Sequence, residues 1–368
     1  MKLLITRKMV ACGLVGILLG CCFVFAIYFI NHHYQNTSTI AIDLSDHRPA
    51  IPLPTATPEP SVSFIIGGDV MFARMINHTF GNDFNDAFSN LGSQVFSGYD
   101  AAIINLEGAI TDKPIPDNVS ARTTMIFRFP PAVANTLSYL HINGVSQANN
   151  HSDNAGAEGI ATTRSVLASA GIQTFGGPAG NDISRIAVFH GLGLSLTVIG
   201  VNMLAPGQIA EALVPIIEKA KQDPSMRVLV MPHWGVEYKA GHTTAQAQAA
   251  HVWIDAGADI VIGSHPHVIE DAELYHGAPI IYSLGNFLFD QTFSKETREG
   301  LLIAGDFTPN GLTFSALPIQ SINYKPQLMT DPGKQQILDS LYVPFRNYLQ
   351  TTSAGIVVEI KKQKSSGL

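Results

Sequence analysis

The sequence predicts an α/β domain carried on an N-terminal transmembrane helix. Three observations lead there. Short apolar runs of strand length alternate with helix-like stretches through most of the chain. A long uncharged segment follows a basic N-terminus. Carboxylate, amide and imidazole side chains recur where the apolar runs end, the edge of an open α/β sheet at which ligands bind.

In chain order, "MKLLITRK" (1–8) carries Lys2, Arg7 and Lys8 and reads as a flank that stays inside. The following "MVACGLVGILLGCCFVFAIYFI" (9–30) is long enough to span a bilayer as a helix. A cleaved signal peptide expects an apolar core of roughly 7–15 residues and a small-residue cleavage site. This run is longer, and no convincing site follows it. "LLGC", ending at Cys21, resembles a lipoprotein signal, yet the apolar run continues past that cysteine. The expectation is an uncleaved single-pass anchor in the cell membrane with the domain outside the cytoplasm, the lipoprotein alternative staying open. All three cysteines (Cys12, Cys21, Cys22) lie in this segment. The remaining chain therefore has no disulfide, cysteine-ligated metal or thiol nucleophile.

Residues 31–60 read as a linker, since "HRPAIPLPTATPEP" is proline-rich and favours an extended spacer. The domain is expected over 61–325. It opens with the strand "SVSFIIGGDV", followed by the strand "YDAAIINLEG" and a helix over "PPAVANTLSYLHING". The strand "VSQANNH" and the helix "AEGIATTRSVLASAG" come next, then a hairpin about Gly191 and Gly193. "QIAEALVPIIEKAKQ" reads as a helix with an internal proline and "MRVLVMPHWG" as a strand. After the helix "TTAQAQAAHVWIDAG" come the strands "DIVIGSHPHV", "APIIYSLGNFLFD" and "GLLIAGDFT". Residues 326–368 read as a helix, "KQQILDSLYVPFRNYLQ", and a strand, "AGIVVEI", packing on the domain.

The apolar fraction of 46% and charged fraction of 14% exclude global disorder. A net charge of −7 with no Lys/Arg run gives no support for nucleic-acid binding.

The polar residues at the strand ends carry the chemistry. Asp69, Glu107, Asn150, His151, His233, His265 and His267 all fall at or just beyond the C-terminal end of an apolar run. Singly, each has a structural explanation: Asp69 and Asn150 as turn or helix caps, Glu107 as a surface carboxylate, His233 as a buried imidazole. Together they form a mixed oxygen and imidazole set suited to manganese, iron, zinc or magnesium. In "QANNHSDNAG", Asn149, Asp153 and Gly156 are expected to shape the turn into the next helix.

The stretches "GDVMFAR", "NLEGAIT", "FRFPP", "ANNHSDNAGAEG", "MPHWGVEY", "GSHPHVIE" and "YSLGNFLFDQ" occur in order between about 62 and 291. With them the chain resembles the CapA family of poly-γ-glutamate capsule synthesis, within the calcineurin-like metallophosphoesterase superfamily. The resemblance implies a four-layer α/β/β/α sandwich with one or two divalent ions at the strand ends. It implies Asp69 and His267 on one metal, Glu107 bridging, and Asn150, His233 and His265 on the second. It implies His151 facing substrate, as electrostatic stabiliser or leaving-group acid. The superfamily's first motif is Asp-x-His, but here Met71 stands at that histidine's position. Thioether suits hard divalent metals poorly. Three outcomes follow: a weak first site, a compensating ligand from elsewhere, or a single ion.

The same resemblance implies a metal-dependent hydrolase or transferase acting on an acidic polymer, poly-γ-glutamate, or on a phosphoester, beside capsule synthase membrane proteins. The alternatives are a non-catalytic polymer-binding or export component, and a general extracytoplasmic metallophosphoesterase. Arg74 and Arg128 are candidate anion contacts because arginine forks onto carboxylate or phosphate; the alternative for each is an ion pair or the surface. Tyr238 is a candidate substrate contact or a packing residue. Glu237 could orient a histidine or begin a solvated loop, and Asn286 and Asp290 are expected to shape their strand end.

Overall fold

Nearly continuous apolar runs belong to strands buried on both faces, and the strand Val62–Val70 shows why. Its side chains alternate: Val62, Phe64 and Ile66 join one apolar cluster, while Ile65 joins another on the opposite side. The computed structural model of the protein describes residues 59–81, 83–115, 125–179, 185–353 and 355–361. The basic flank, the apolar segment 9–30 and the linker up to residue 58 lie outside the described residues. Among the described residues, no helix is long and apolar enough to cross a membrane.

Two mixed sheets organise the domain. The path of the larger sheet runs Leu349–Thr352, Gly355–Lys361, Gly311–Ile322, Glu299–Thr308, Val62–Val70, Ala101–Leu106, Gly144–Ser146, Gln173–Phe175. Asn286–Leu288 pairs beside Val62–Val70, and Lys325–Leu328 beside Gly311–Ile322. The second sheet runs Ala272–Tyr275, Ala278–Ile281, Ile260–Ile262, Met226–His233, Ser195–Asn202, Ile186–His190. A shared apolar cluster joins Phe64, Ile66 and Ile303 of the first sheet to Val198, Leu229 and Ile262 of the second. Outside the first sheet, helices Arg74–Phe80, Val133–Tyr139 and Gly156–Ser169 contribute Ile76, Leu137 and Leu167 to a separate cluster. Outside the second, helices Val214–Lys221 and Thr244–Asp255 contribute Ile217 and Trp253.

What positions the site is strand direction. Val62–Val70, Ala101–Leu106 and Gly144–Ser146 are mutually parallel, as are Met226–His233 and Ile260–Ile262. Their C-terminal ends carry the polar residues to one edge of each sheet.

Several elements differ from the sequence expectation. The stretch "APIIYSLGNFLFD" is not one strand. Ala278–Ile281 lies in the second sheet and Asn286–Leu288 in the first, with the crossing made at Gly285, whose φ of 67° suits glycine. "QIAEALVPIIEKAKQ" divides into a 3-10 turn, Ala210–Leu213, and the helix Val214–Lys221, because Pro215 is tolerated only in a first turn. The C-terminal helix stops at Leu341, ahead of a 3-10 stretch, Val343–Tyr348, that contains Pro344.

Candidate metal centre

Asp69 ends its strand fully buried, with its amide donating to Gly285 O at 3.1 Å. Its Oδ1 accepts from Asn105 Nδ2 at 2.8 Å, and its Oδ2 accepts from the His265 backbone N–H at 3.2 Å. Asn105 is itself held by Asn149, whose Nδ2 donates to Asn105 Oδ1 at 3.0 Å and to Leu106 O at 2.9 Å. Asn149 thus acts through the strand ends as well as through the turn, where its Oδ1 accepts the His151 amide at 3.1 Å.

Glu107 follows the next strand, its amide donating to Val70 O at 2.8 Å. Its carboxylate is completely buried, and neither oxygen has a hydrogen-bond partner within the protein. Around it stand His267, with Nε2 3.6 Å from Oε1, and His151, with Nε2 3.8 Å away. His267 Nδ1 lies 3.0 Å from Asn286 Oδ1 and 3.3 Å from Asp69 Oδ2. On the other sheet, His233 Nε2 lies 2.9 Å from Asn150 Oδ1, and its Nδ1 lies 3.0 Å from Ser264 Oγ. The Nδ1 of His265 is buried with no partner.

Burial pushes the Glu107 carboxyl up to about 8. Burial alone would lower His267, but the carboxylates of Glu107 and Asp69 hold it up to about 9. Burial, reinforced by the His267 charge, takes His265 down to about 4. Burial lowers His233 well below the usual range, and lowers His151 too. Neutral imidazoles keep a lone pair free for a cation.

These residues fit a divalent metal. An unpartnered buried carboxylate is costly, and here it stands among the raised imidazole of His267, the lowered imidazole of His151 and a second carboxylate, Asp69. The ligand atoms fall into two groups, each within 4.8 Å: Asp69, Glu107 and His233, and then Glu237, His265 and His267. The set is oxygen and nitrogen throughout, the chemistry of manganese, iron, zinc or magnesium.

With this geometry in place, the family model described as "Bacterial capsule synthesis protein PGA_cap" matches residues 63–291. The chain belongs to that family. The "PGA biosynthesis protein CapA" of Bacillus subtilis is 29% identical over 285 residues, covering 70% of this chain and 71% of that protein. The "Capsule biosynthesis protein CapA" of Bacillus anthracis is 30% identical over 236 residues, 59% of this chain and 56% of its own length. Among solved structures, a phosphatase from Mycoplasma pneumoniae aligns with a TM-score of 0.43 at 13% identity, over 76% of this chain and 98% of that one. A purple acid phosphatase from yellow lupin seeds aligns with a TM-score of 0.37 at 11% identity, over 75% of this chain and 54% of that one.

In this CapA-like protein the remaining site residues divide. His151 stacks on Phe127, ring centroids 4.1 Å apart, and its Nδ1 lies 3.1 Å from Asn154 Oδ1. Tyr238 is 44% exposed, with its ring 6.2 Å from that of His267. Arg74 does not present a free guanidinium: it is buried, ion-paired with Asp290, and covered by the Phe127 and Phe289 rings. Arg128 is half-buried and donates through Nε to Asn154 O at 2.8 Å. Met71 is fully buried and its sulfur accepts the Ala73 amide at 2.9 Å.

Sequence reasoning passed over Asn105, which braces Asp69. Its signal was a polar residue two positions before Glu107 inside an otherwise apolar strand.

Proposed function

We propose that this CapA-like protein serves poly-γ-glutamate capsule biosynthesis as a metal-dependent hydrolase or transferase, with the acidic polymer bound at the strand-end cleft. The observation that carries the reading is Glu107, whose two carboxylate oxygens are buried without partners among Asp69, His233 and His267. Support for the polymer comes from the sequence resemblance and from relatives named for PGA and capsule biosynthesis.

Asp69, Glu107, Asn150, His233, His265 and His267 would hold the ions. A divalent ion bound there supplies Lewis-acid polarisation of a substrate oxygen and activation of water. The protein's own part is positioning and proton handling. Asn154 Oδ1 accepts from the Phe127 amide at 2.6 Å and can also accept from His151 Nδ1. That arrangement fixes the tautomer with the proton on Nδ1 and turns the bare Nε2 toward Glu107. His151, kept neutral by burial, takes up a proton in the cleft and returns it to a leaving group. Tyr238 and Phe293, whose rings meet edge to face, give the cleft an aromatic rim for the polymer backbone.

The reading includes a single membrane span over 9–30, with the domain outside the cytoplasm and capsule synthase membrane proteins as neighbours. Its support is the basic flank and the length of the apolar run. A second reading is a polymer-binding or export component without turnover. It is favoured by Met71, which offers a thioether where the superfamily has histidine and commits it to a backbone amide.

The test is turnover by manganese-loaded protein on poly-γ-glutamate and on bis(p-nitrophenyl) phosphate. Polymer cleavage that His151→Ala lowers supports the enzyme reading. Phosphodiester turnover with indifference to the polymer points to a general phosphoesterase. Loaded protein that turns over neither, with His151→Ala still supporting capsule formation, leaves only the binding role.

A further inference from the structure

Glu237 lies outside the strand-end set, on the loop that follows the strand Met226–His233. The loop after His233 does not run off into solvent. Trp234 N–H donates to Ser264 O at 3.1 Å, and Tyr238 N–H donates to Pro266 O at 2.8 Å. These bonds lace the loop onto the turn that carries His265 and His267. Gly235, Tyr238, His265 and His267 all have positive φ, at 85°, 64°, 101° and 59°. The loop and the turn together therefore hold three non-glycine residues in a costly backbone region, as functional sites do when the surroundings enforce it. The half-buried Glu237 is carried by this loop, and its carboxylate reaches within 4.8 Å of ligand atoms on both His265 and His267. Independently, the Nδ1 of His265, a residue only 6% exposed, has no hydrogen-bond partner.

We infer that Glu237 is a metal ligand, completing with His265 and His267 a second divalent-cation position beside that formed by Asp69, Glu107 and His233. The inference rests on the reading that the cleft holds divalent metal. It assigns Glu237 a direct role in place of orienting a histidine. Each position then has at least three donors, at least one of them a carboxylate. A carboxylate oxygen is a harder donor than imidazole, which favours manganese or magnesium there.

The experiment is metal stoichiometry and affinity of the full chain, measured by elemental analysis and by titration with Mn²⁺ alone. Wild type is expected to hold two ions per chain. Glu237→Gln, which keeps shape and removes charge, is expected to keep one ion and to lose the other or bind it at least tenfold more weakly. Glu237→His, which restores a donor, is expected to recover the second ion, whereas a purely orienting role would not be rescued this way. Thermal melts of the metal-free variants check that each is folded. Two ions retained by Glu237→Gln at unchanged affinity overturn the assignment while leaving the metal reading intact. Wild type that takes up no ion overturns both.

Discussion

His233 Nε2 lies 2.9 Å from Asn150 Oδ1, although the two residues are 83 positions apart and close strands of different sheets. The contact joins the two sheets at their C-terminal edge, where Asn150 follows Gly144–Ser146 and His233 ends Met226–His233. Sheet packing thus brings an amide oxygen and an imidazole nitrogen from distant segments within reach of one another.

Glu107→Gln is expected to separate binding from stability. Removing the charge takes away a carboxylate that holds His267 protonated, so the fall in stability of the metal-free protein between pH 7 and 9 should shrink. Metal affinity should fall at least tenfold. Thermal melts with and without Mn²⁺ check both; a variant that loses stability and keeps full affinity contradicts the role given to Glu107.

The pH dependence follows from two raised groups. His267, raised to about 9, contributes stability that is fully present below its unfolded value near 6.5 and is lost as pH rises through about 9. Glu107, raised to about 8, binds its proton more tightly when folded, so its charging also weakens the folded state between about 4.5 and 8. Stability of the metal-free protein should therefore fall from neutral pH toward 9. Metal binding at pH 7.5 should release protons and tighten as pH rises. Calorimetry in buffers of different ionisation enthalpy measures that release; metal binding independent of pH between 6 and 9 would contradict it.

Asp290→Asn is expected to be among the more damaging changes away from the candidate metal ligands. It leaves the Arg74 guanidinium buried and uncompensated against Phe127 and Phe289, a loss of roughly 3–5 kcal/mol. Arg74→Met combined with Asp290→Leu should restore much of this, because paired apolar replacement removes both charges. Denaturant midpoints of the two proteins decide the matter.

Gly68→Ala tests the backbone approach beside Asp69. An added Cβ would meet Gly285 O at 2.0 Å, where the chain crosses between sheets. The expected loss is about 1–3 kcal/mol, with weaker metal binding because Asp69 shifts. A melt unchanged from wild type would show that the crossing has room to move.

His151→Ala should lower turnover by roughly 10²–10⁴-fold while leaving metal stoichiometry unchanged, since His151 touches Glu107 and Phe127 but belongs to neither donor group. Elemental analysis and rate measured on the same sample separate the two effects.

Much of the fold was legible because strands such as Val62–Val70 and Met226–His233 are apolar runs ended by polar residues, a local pattern. The same pattern named Asp69, Glu107, Asn150, His233, His265 and His267 as candidates, since polar residues at parallel strand ends share an edge. Asn105 escaped notice because a bracing amide inside a strand resembles any tolerated polar residue. Arg74 read as an anion contact because its partner, Asp290, is 216 positions away.

By itself, the sequence determined the alternation of strands and helices, the absence of cysteine beyond residue 22 and the chemical types gathered at the strand ends. Those follow from hydrophobic period and side-chain identity, which are local. Only the tertiary structure decided that "APIIYSLGNFLFD" serves two sheets, that Arg74 spends its charge on Asp290, and that Glu237 stands beside His265 and His267. Each of these depends on which distant segments pack together, and that is fixed by burial of the whole chain rather than by the pattern of any one stretch.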